Sequence, residues 1–490
     1  MAPRDYDVII AGGGMSGLIT AASIGYHSKG SAKVLVVDRN PETEPGKKTN
    51  NGWTCGDATS KRSLDYLAEH IGVRYGSPEL EHPVKGVYVY SPDRKTKVLF
   101  EGEGYLFNRK LAPRRQVSDA RKYGTEFMFG ATAERLLSDG SSITGVSGRK
   151  ADRSTFSLTA KVVVDATGSS SVLRRTMPIQ SKIEKDIDPD DVVGTGRYIL
   201  DFEPAMESKE YFDPEYCIIH LDQFIAPAGY AWVFPKGPKK VNIGLGISKS
   251  GLDRRNRRFK LNDNLQSLID KYVADNPVIR KATQPQSDGD SGNTKGNWQV
   301  PVRRHNDCMV ANGFAVVGDA AWMPRPIDAG GISPSIYGGT ILGKVVAEAL
   351  EAGDASERSL WKYNAEYMST HGYPMASFEV LRRYLQTVTN DQINYGMKHF
   401  LSEEDVLAIT ERKHPQFNRA RLINPSLWLR VLSRLSLARG LRYTVEKSAA
   451  LVDINLAYPG SPEGFEDWRR RLASELAETV EKFKPLDVAN

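Results

Sequence analysis

Tyr6-Asp-Val-Ile-Ile-Ala11 is a short, apolar, β-branched run closed by glycine, the pattern of a parallel strand buried on both faces. Small and aliphatic residues follow from Met15 to Tyr26 and predict a helix, and Lys33-Val-Leu-Val-Val-Asp38 predicts the next strand. A polar loop rich in Pro, Glu, Lys and Asn runs from Arg39 to Gly52. Helical spacing returns at Lys61 to Glu69, with strand-like alternation at Val84 to Tyr90 and Lys97 to Phe100. Lys161-Val-Val-Val-Asp-Ala-Thr-Gly168 is a second apolar strand ended by a turn of small residues. From Ile199 to Ile247 the pattern is antiparallel sheet, with alternation at Cys217–Leu221, Ala231–Phe234 and Val241–Ile247. Gly313-Phe-Ala-Val-Val-Gly-Asp319 reads as a third buried strand, and a Gly/Pro-rich turn leads from it to a helix over Ser335–Ala352. Beyond Asp354 the spacing is mainly helical. Gln284 to Asn297, rich in Gly, Ser, Asp and Asn, predicts a mobile loop.

This order predicts an α/β chain: a Rossmann-like nucleotide domain, an inserted antiparallel-sheet domain and a helical C-terminal region. The expected boundaries are 1–175 and 299–353 for the two parts of the first domain, 176–298 for the insertion and 354–490 for the helical region. The inserted sheet is expected to close over whatever the first domain binds.

Composition narrows the class. A chain of 490 residues has room for more than one unit. Its 66 Lys and Arg against 60 Asp and Glu leave +6, too mild for a nucleic-acid partner without a basic stripe or reading module. Three scattered cysteines, Cys55, Cys217 and Cys308, form neither a disulfide framework nor a metal cluster, and suit a reducing compartment. The first residues carry no signal-peptide pattern, and no run of 18 apolar residues occurs, so membrane contact is expected to be peripheral.

Gly12-Gly-Gly14-Met-Ser-Gly17 follows a predicted strand and opens a predicted helix, and Asp38 ends the next strand 21 residues past Gly17. Gly12 suits the tight turn, and Gly14 suits the approach of backbone to a pyrophosphate. Gly17 suits close helix–strand packing, and Asp38 suits a ribose hydroxyl. The motif alone leaves NAD and FAD both open.

Two later segments separate them. Val164-Asp-Ala-Thr-Gly168 and Val317-Gly-Asp-Ala-Ala321 resemble the internal and C-terminal flavin motifs of the p-hydroxybenzoate-hydroxylase-like FAD superfamily. The resemblance implies FAD, with Asp319 on the ribityl chain and the Gly330-Gly331-Ile332 helix start near the isoalloxazine. The implied cofactor set is Gly12, Gly14, Met15, Ser16, Gly17 and Asp38, then Cys55, Gly56, Asp57, Ala58 and Arg109, then Gly168, Gly318, Asp319, Gly330, Gly331 and Ile332.

Pro227-Ala-Gly-Tyr230-Ala-Trp232-Val-Phe234-Pro235 places three aromatics at period two on one strand face, which suits either sheet packing or an apolar substrate wall. The segment resembles the P-x-x-Y-x-W-x-F-P pattern of the geranylgeranyl reductase family, and Cys55-Gly-Asp57-Ala58 resembles that family's cysteine loop. The likeness covers about the first 350 residues. Asp328-Ala329 departs from it before Gly330, and so does the long polar loop after Arg39. The likeness implies hydride transfer from reduced flavin to double bonds of geranylgeranyl chains on archaeal-type glycerolipids, with Tyr230, Trp232 and Phe234 as substrate wall. Cys55 is then a candidate catalytic thiol, a proton donor or redox-sensitive group, against the alternative of an inert buried cysteine. Cys217 and Cys308 are expected to be structural, and His220 and His305 structural or solvent-facing.

No second strand–GxGxxG–helix unit is legible, so the electron donor is expected to be transient NADPH or a ferredoxin-like carrier. The cluster Arg254, Arg255, Arg257, Arg258 and Lys260 could attract a donor or an anionic headgroup, or be a solvated face. Leu427 to Arg442 has the composition of a basic amphipathic helix that either lies on a membrane or packs on the body. The expected location is the cytoplasm, at the inner face of the cell membrane. Rival readings are an FAD-dependent monooxygenase or halogenase of the same superfamily and a non-enzymatic prenyl-lipid-binding protein.

Overall fold

Strand β1 (Tyr6–Ala11) is apolar because it lies in the middle of a parallel sheet, where both faces are covered. The structure, a computed structural model, describes residues 4–48, 52–285, 295–400 and 435–483. After β1 come α1 (Met15–His27), β2 (Val34–Asp38), β3 (Ala58–Ser60), α2 (Lys61–Ile71), β4 (Leu80–Tyr90), β5 (Lys97–Phe107) and α3 (Leu111–Arg121). Next are β6 (Glu126–Phe129), β7 (Ala131–Ser138), β8 (Ile143–Lys150), β9 (Thr155–Asp165) and the one-turn α4 (Val172–Arg175). The central stretch holds β10 (Val192–Pro204), β11 (Cys217–His220), β12 (Tyr230–Gly237), β13 (Lys240–Ser248), α5 (Lys249–Phe259), α6 (Leu265–Asp275), β14 (Ile279–Thr283) and β15 (Lys295–Pro301). The chain continues through β16 (Val310–Ala311), β17 (Phe314–Val316), α7 (Ile332–Glu351), α8 (Glu357–Tyr367), α9 (Met375–Leu385) and α10 (Asn390–His399). It ends with α11 (Leu435–Leu456) and α12 (Phe465–Lys482).

The first sheet runs β16-β17-β9-β1-β2-β6, with β7 and β8 attached beside β9. Its register aligns Ala11 with Asp165 and Asp165 with Val316, so the carboxyl ends of β1, β9 and β17 lie side by side. Those three ends carry the three glycine turns read from the sequence. Helix α1 is enclosed from Met15 to Gly25, because α7 lies against it through small residues. A Cβ on Gly343 would stand 2.3 Å from that of Ser23, which shows how close the two helices come.

The second sheet runs β14-β10-β13-β12-β11-β4-β5-β3, with β15 on β10. All its pairs are antiparallel except β4 with β11. Here the structure differs from the expected division at residue 175. β3, β4 and β5 arise between β2 and α3 but pair into the second sheet, because their alternating pattern needs a sheet with one half-covered face. Segment 58–107 thus ties the two layers together.

The C-terminal helices pack on this body. Trp468, Leu472 and Leu476 of α12 are buried and Trp468 Nε1 donates to Ile454 O at 2.9 Å, while Val480 stays 38% exposed. Part of the expected amphipathic segment (427–434) and most of the expected mobile loop (286–294) lie outside the described residues.

Candidate active site

The three turns at the sheet's carboxyl edge fit one another through glycines. Gly12 has φ +110, and a Cβ there would stand 2.3 Å from Ala166 O, so the first turn is pressed on the β9 turn. A Cβ on Gly17 would meet Gly12 O at 2.1 Å, whereas one on Gly14 would meet nothing within 4 Å. Gly14 therefore faces clear space, at the uncapped N-terminus of a 13-residue helix. Met15 and Ser16 form its first turn, and Ser16 Oγ lies against the site of Gly318, which has φ +70. Asp165 organises the middle turn: one oxygen accepts Thr167 N and Oγ1 at 2.9 and 2.6 Å, and the other accepts Arg174 N at 2.8 Å. Gly168, with φ +77, follows in open space.

The sequence pattern assigns the Asp38 carboxylate to a ribose hydroxyl; within the protein it accepts four N–H donors. Gly13 N donates to Oδ2 at 2.6 Å and Gly46 N at 3.0 Å; Asn40 N and Nδ2 donate to Oδ1 at 2.7 and 2.9 Å. The cause is the segment after β2, which folds back until Gly46 packs on Gly14. Arg114 and Arg121 of α3 hold it through Thr43 O and Glu42, and Trp53 Nε1 donates to Pro45 O at 3.1 Å. Lys48 ends the described part of this strap 3.1 Å from Asp319 Oδ2, linking it to the third turn. Burial raises the Asp38 carboxyl against its own hydrogen bonds.

The residues present fit a flavin dinucleotide. Arg109 keeps two buried guanidinium nitrogens, Nε and Nη1, without a hydrogen-bond partner among the described residues, an arrangement an anionic phosphate would complete. Gly331 caps the 20-residue α7 with no side-chain cap, Ile332 begins that helix, and Asp319 Oδ1 lies 3.4 Å from where a Gly331 Cβ would sit. Gly330 N donates to Asp328 Oδ1 at 2.9 Å, so Asp328 shapes the lead-in that departs from the family pattern.

The aromatic strand covers the cysteine turn. Phe234 packs on Gly56, where a Cβ would meet its ring at 2.9 Å. The rings of Tyr230, Trp232 and Phe234 follow one another at 6.1 Å centroid spacing. Trp232 and Phe234 are buried and Tyr230 is half-buried, so Tyr230 is the member of the three that solvent partly reaches. Its hydroxyl donates to Asp328 O. Burial, with the Asp328 carboxylate beside it, pushes that hydroxyl well above the usual tyrosine range, so it keeps its proton.

Cys55 is partly exposed, and its Sγ accepts Asp57 N at 3.3 Å. Asp57 itself adopts φ +68, is fully buried, and begins the step into Ala58 and β3. Residues that the sequence reading passed over hold it there. Lys236 Nζ lies 3.2 Å from Asp57 Oδ2 and 2.8 Å from Glu81 Oε2. Asn242 Nδ2 donates to Asp57 Oδ2 at 2.9 Å and to Cys55 O at 2.8 Å, while Asn242 Oδ1 accepts Trp232 Nε1 at 3.0 Å. Arg197 Nη2 donates to Trp53 O at 2.7 Å, just before the cysteine turn. The signal for all three was the same: a polar side chain inside a strand that otherwise reads as apolar.

The other singled-out residues are structural. His220 is held between Tyr272 Oη at 2.6 Å and Glu210 O at 2.7 Å, and burial lowers its pKa to about 3. His305 is buried with the same effect. Burial pushes both the Cys217 and Cys308 thiols up, the latter to about 12.

The chain is similar to known proteins in sequence and in fold. A model of an FAD binding domain matches residues 5–220, and a model of the geranylgeranyl reductase catalytic domain matches residues 202–284. The chain is 33% identical to the digeranylgeranylglycerophospholipid reductase of Sulfolobus acidocaldarius, over 98% of this chain and 99% of that protein. It is 28% identical to digeranylgeranylglycerophospholipid reductase 2 of Methanococcoides burtonii, over 79% of this chain and 86% of the other. In structure it is similar to a geranylgeranyl bacteriochlorophyll reductase-like protein of Thermoplasma acidophilum. The TM-score is 0.69 at 24% identity, covering 85% of this chain and 98% of that one. A myxobacterial FAD-dependent halogenase shares the fold at TM-score 0.61 and 15% identity, over 78% and 83% of the chains.

Proposed function

The chain belongs to the geranylgeranyl reductase family, and we propose that it saturates carbon–carbon double bonds of geranylgeranyl chains on archaeal-type membrane glycerolipids, with FAD as cofactor. The observation that carries this reading is the packing of the Tyr230–Trp232–Phe234 strand on the Cys55–Asp57 turn, with the Tyr230 hydroxyl donating to Asp328 O in the lead-in to Gly330.

Reduced FAD, when bound, supplies a hydride. The chain's own residues do the rest. Gly12, Gly14 and Gly17, with the α1 N-terminus and Arg109, would hold the pyrophosphate; Asp319 and the Gly330–Ile332 turn would hold the flavin end. The aromatic wall excludes water and binds an isoprenoid by burial, on the order of 25 cal/mol per Å². Tyr230 orients the chain against the Asp328 turn. Saturating an alkene adds one hydride and one proton, and Cys55 is the group of the turn proposed to supply that proton. Asp57 N–H on Sγ and Asn242 on the Cys55 carbonyl fix its position.

Electrons come from NADPH in transient contact or from a ferredoxin-like carrier, and the protein works at the cytoplasmic face of the cell membrane. No helix among the described residues is long and apolar enough to cross a bilayer. Halogenase-like neighbours share the fold at 15% identity, which speaks for architecture and not for chemistry. The test is mass spectrometry of lipids from cells that make digeranylgeranyl glycerolipids, with and without this protein. Gain of two hydrogens per double bond is expected; unchanged masses despite a working reductant would refute the reading.

A further inference from the structure

Two of the eight large apolar side chains that stand exposed among the described residues meet, Phe224 at 46% and Phe259 at 49%, and a third, Leu261 at 36%, follows Phe259 by two residues. The Phe224 and Phe259 rings meet edge to face at 5.4 Å, so two aromatics from different segments form one exposed ridge. Around it the segment 249–262 carries six basic side chains and a single acidic one, Asp253. Helix α5 sorts them. Gly251 and Arg255 face inward, Arg255 Nε donating to Phe224 O at 2.6 Å and its guanidinium lying 4.3 Å over the Phe224 ring. Lys249, Arg257, Arg258 and Lys260 face outward with Phe259 and Leu261.

We propose that this ridge is the surface by which the protein docks on an anionic lipid bilayer, Phe224, Phe259 and Leu261 entering the headgroup layer and the basic side chains meeting lipid phosphates. Exposed aromatics ringed by cations combine the two attractions that hold peripheral proteins at an interface: apolar insertion and charge. A purely electrostatic contact with an acidic protein has no use for the apolar ridge. The position is apt as well. Helix α5 rests on the turn that opens β12, where a Cβ on Gly251 would stand 2.7 Å from the Ala228 Cβ and 3.0 Å from Pro227 O. Tyr230, the half-buried member of the aromatic wall, lies two residues beyond Ala228. A protein docked through this ridge offers the Tyr230 end of its wall to chains leaving the bilayer. The inference rests on the lipid-reductase reading for that last step only; docking itself does not depend on it.

The test uses flavin-loaded full-length protein, pelleted with vesicles of phosphatidylcholine alone or of phosphatidylcholine mixed with phosphatidylglycerol, in the absence of substrate. The protein is expected to pellet with the mixed vesicles only and to be released by high salt. Arg257→Gln, Arg258→Gln and Lys260→Gln together should weaken partitioning about tenfold or more, and so should Phe224→Ser with Phe259→Ser, flavin absorbance and melting being retained. If one of these variants loses its flavin or its fold, the other decides. The proposal is overturned if wild type stays in the supernatant with mixed vesicles, if it binds only an acidic soluble protein such as a ferredoxin, or if the folded variants pellet as wild type does. Activity on detergent-dispersed lipid separates the two readings: failure there, with vesicle binding intact, would count against the reductase assignment and leave docking standing.

Discussion

Lys236 Nζ stands 3.2 Å from the carboxylate of Asp57, and neither side chain is more than 2% exposed. Burial pulls the lysine's pKa down, but Asp57 and Glu81 together outweigh it and keep the ammonium charged. Asp57 sits at φ +68, a conformation that non-glycine residues adopt at a cost of order 1–3 kcal/mol. The buried pair and Asn242 hold it there, and through its backbone N–H they place the Cys55 sulfur.

Breaking this pair should be expensive. Lys236→Met leaves the Asp57 carboxylate buried without its cation and should lower stability by about 3–5 kcal/mol in urea unfolding. Asp57→Gly keeps the backbone conformation at no steric cost and leaves Lys236 its Glu81 partner, so its loss should be smaller. Equal losses would show that the pair does not act as described.

The glycines of the first turn should separate by role. Gly14→Ala adds a methyl to open space, so the apoprotein should melt as wild type while flavin absorbance per protein falls sharply. Gly17→Ala drives a methyl to 2.1 Å from Gly12 O and should destabilise the apoprotein itself. Apoprotein melting curves and the flavin-to-protein absorbance ratio give both answers.

Arg109→Leu removes a guanidinium whose Nε and Nη1 lack partners among the described residues. Losing charge-assisted hydrogen bonds of about 1.5–3 kcal/mol should weaken FAD binding about tenfold to a hundredfold, read by flavin fluorescence titration. Apoprotein stability should not fall.

His220 and His305 should make the fold acid-sensitive. Burial lowers each to about 3, below an unfolded value near 6.5. Between these values the unfolded chain binds the additional protons, so the stabilisation is intact above about pH 6.5 and is lost as pH falls toward 3. Each histidine should contribute up to about 1.4 kcal/mol per pH unit in that window. His220→Gln should flatten the pH dependence of unfolding free energy there by one proton; an unchanged slope would mean that His220 titrates normally.

What could be read from the sequence was the buried parallel strands with their glycine turns, because a strand covered on both faces must be an unbroken apolar run. The aromatic alternation of β12 was legible from its period of two, although not the burial of its members; Trp232 and Phe234 are buried and Tyr230 is half-buried. Sheet membership of β3 to β5 was not legible, since alternation marks a half-covered face without naming the sheet. Nor was the set of N–H donors on Asp38, which depends on a polar strap folding back on Gly14. Lys236 was hidden by distance: its partner Asp57 lies 179 residues away, and an isolated lysine in an apolar strand gives no sign of it.

The most direct test of the central claim is an anaerobic reaction of purified, flavin-loaded protein with a digeranylgeranyl glycerolipid and a chemical reductant, followed by lipid mass spectrometry. The account predicts a mass gain of two hydrogens for each double bond reduced, slowed by Tyr230→Ala while flavin remains bound. Product that forms only when oxygen is admitted, carrying an added oxygen or halogen in place of hydrogen, would contradict it.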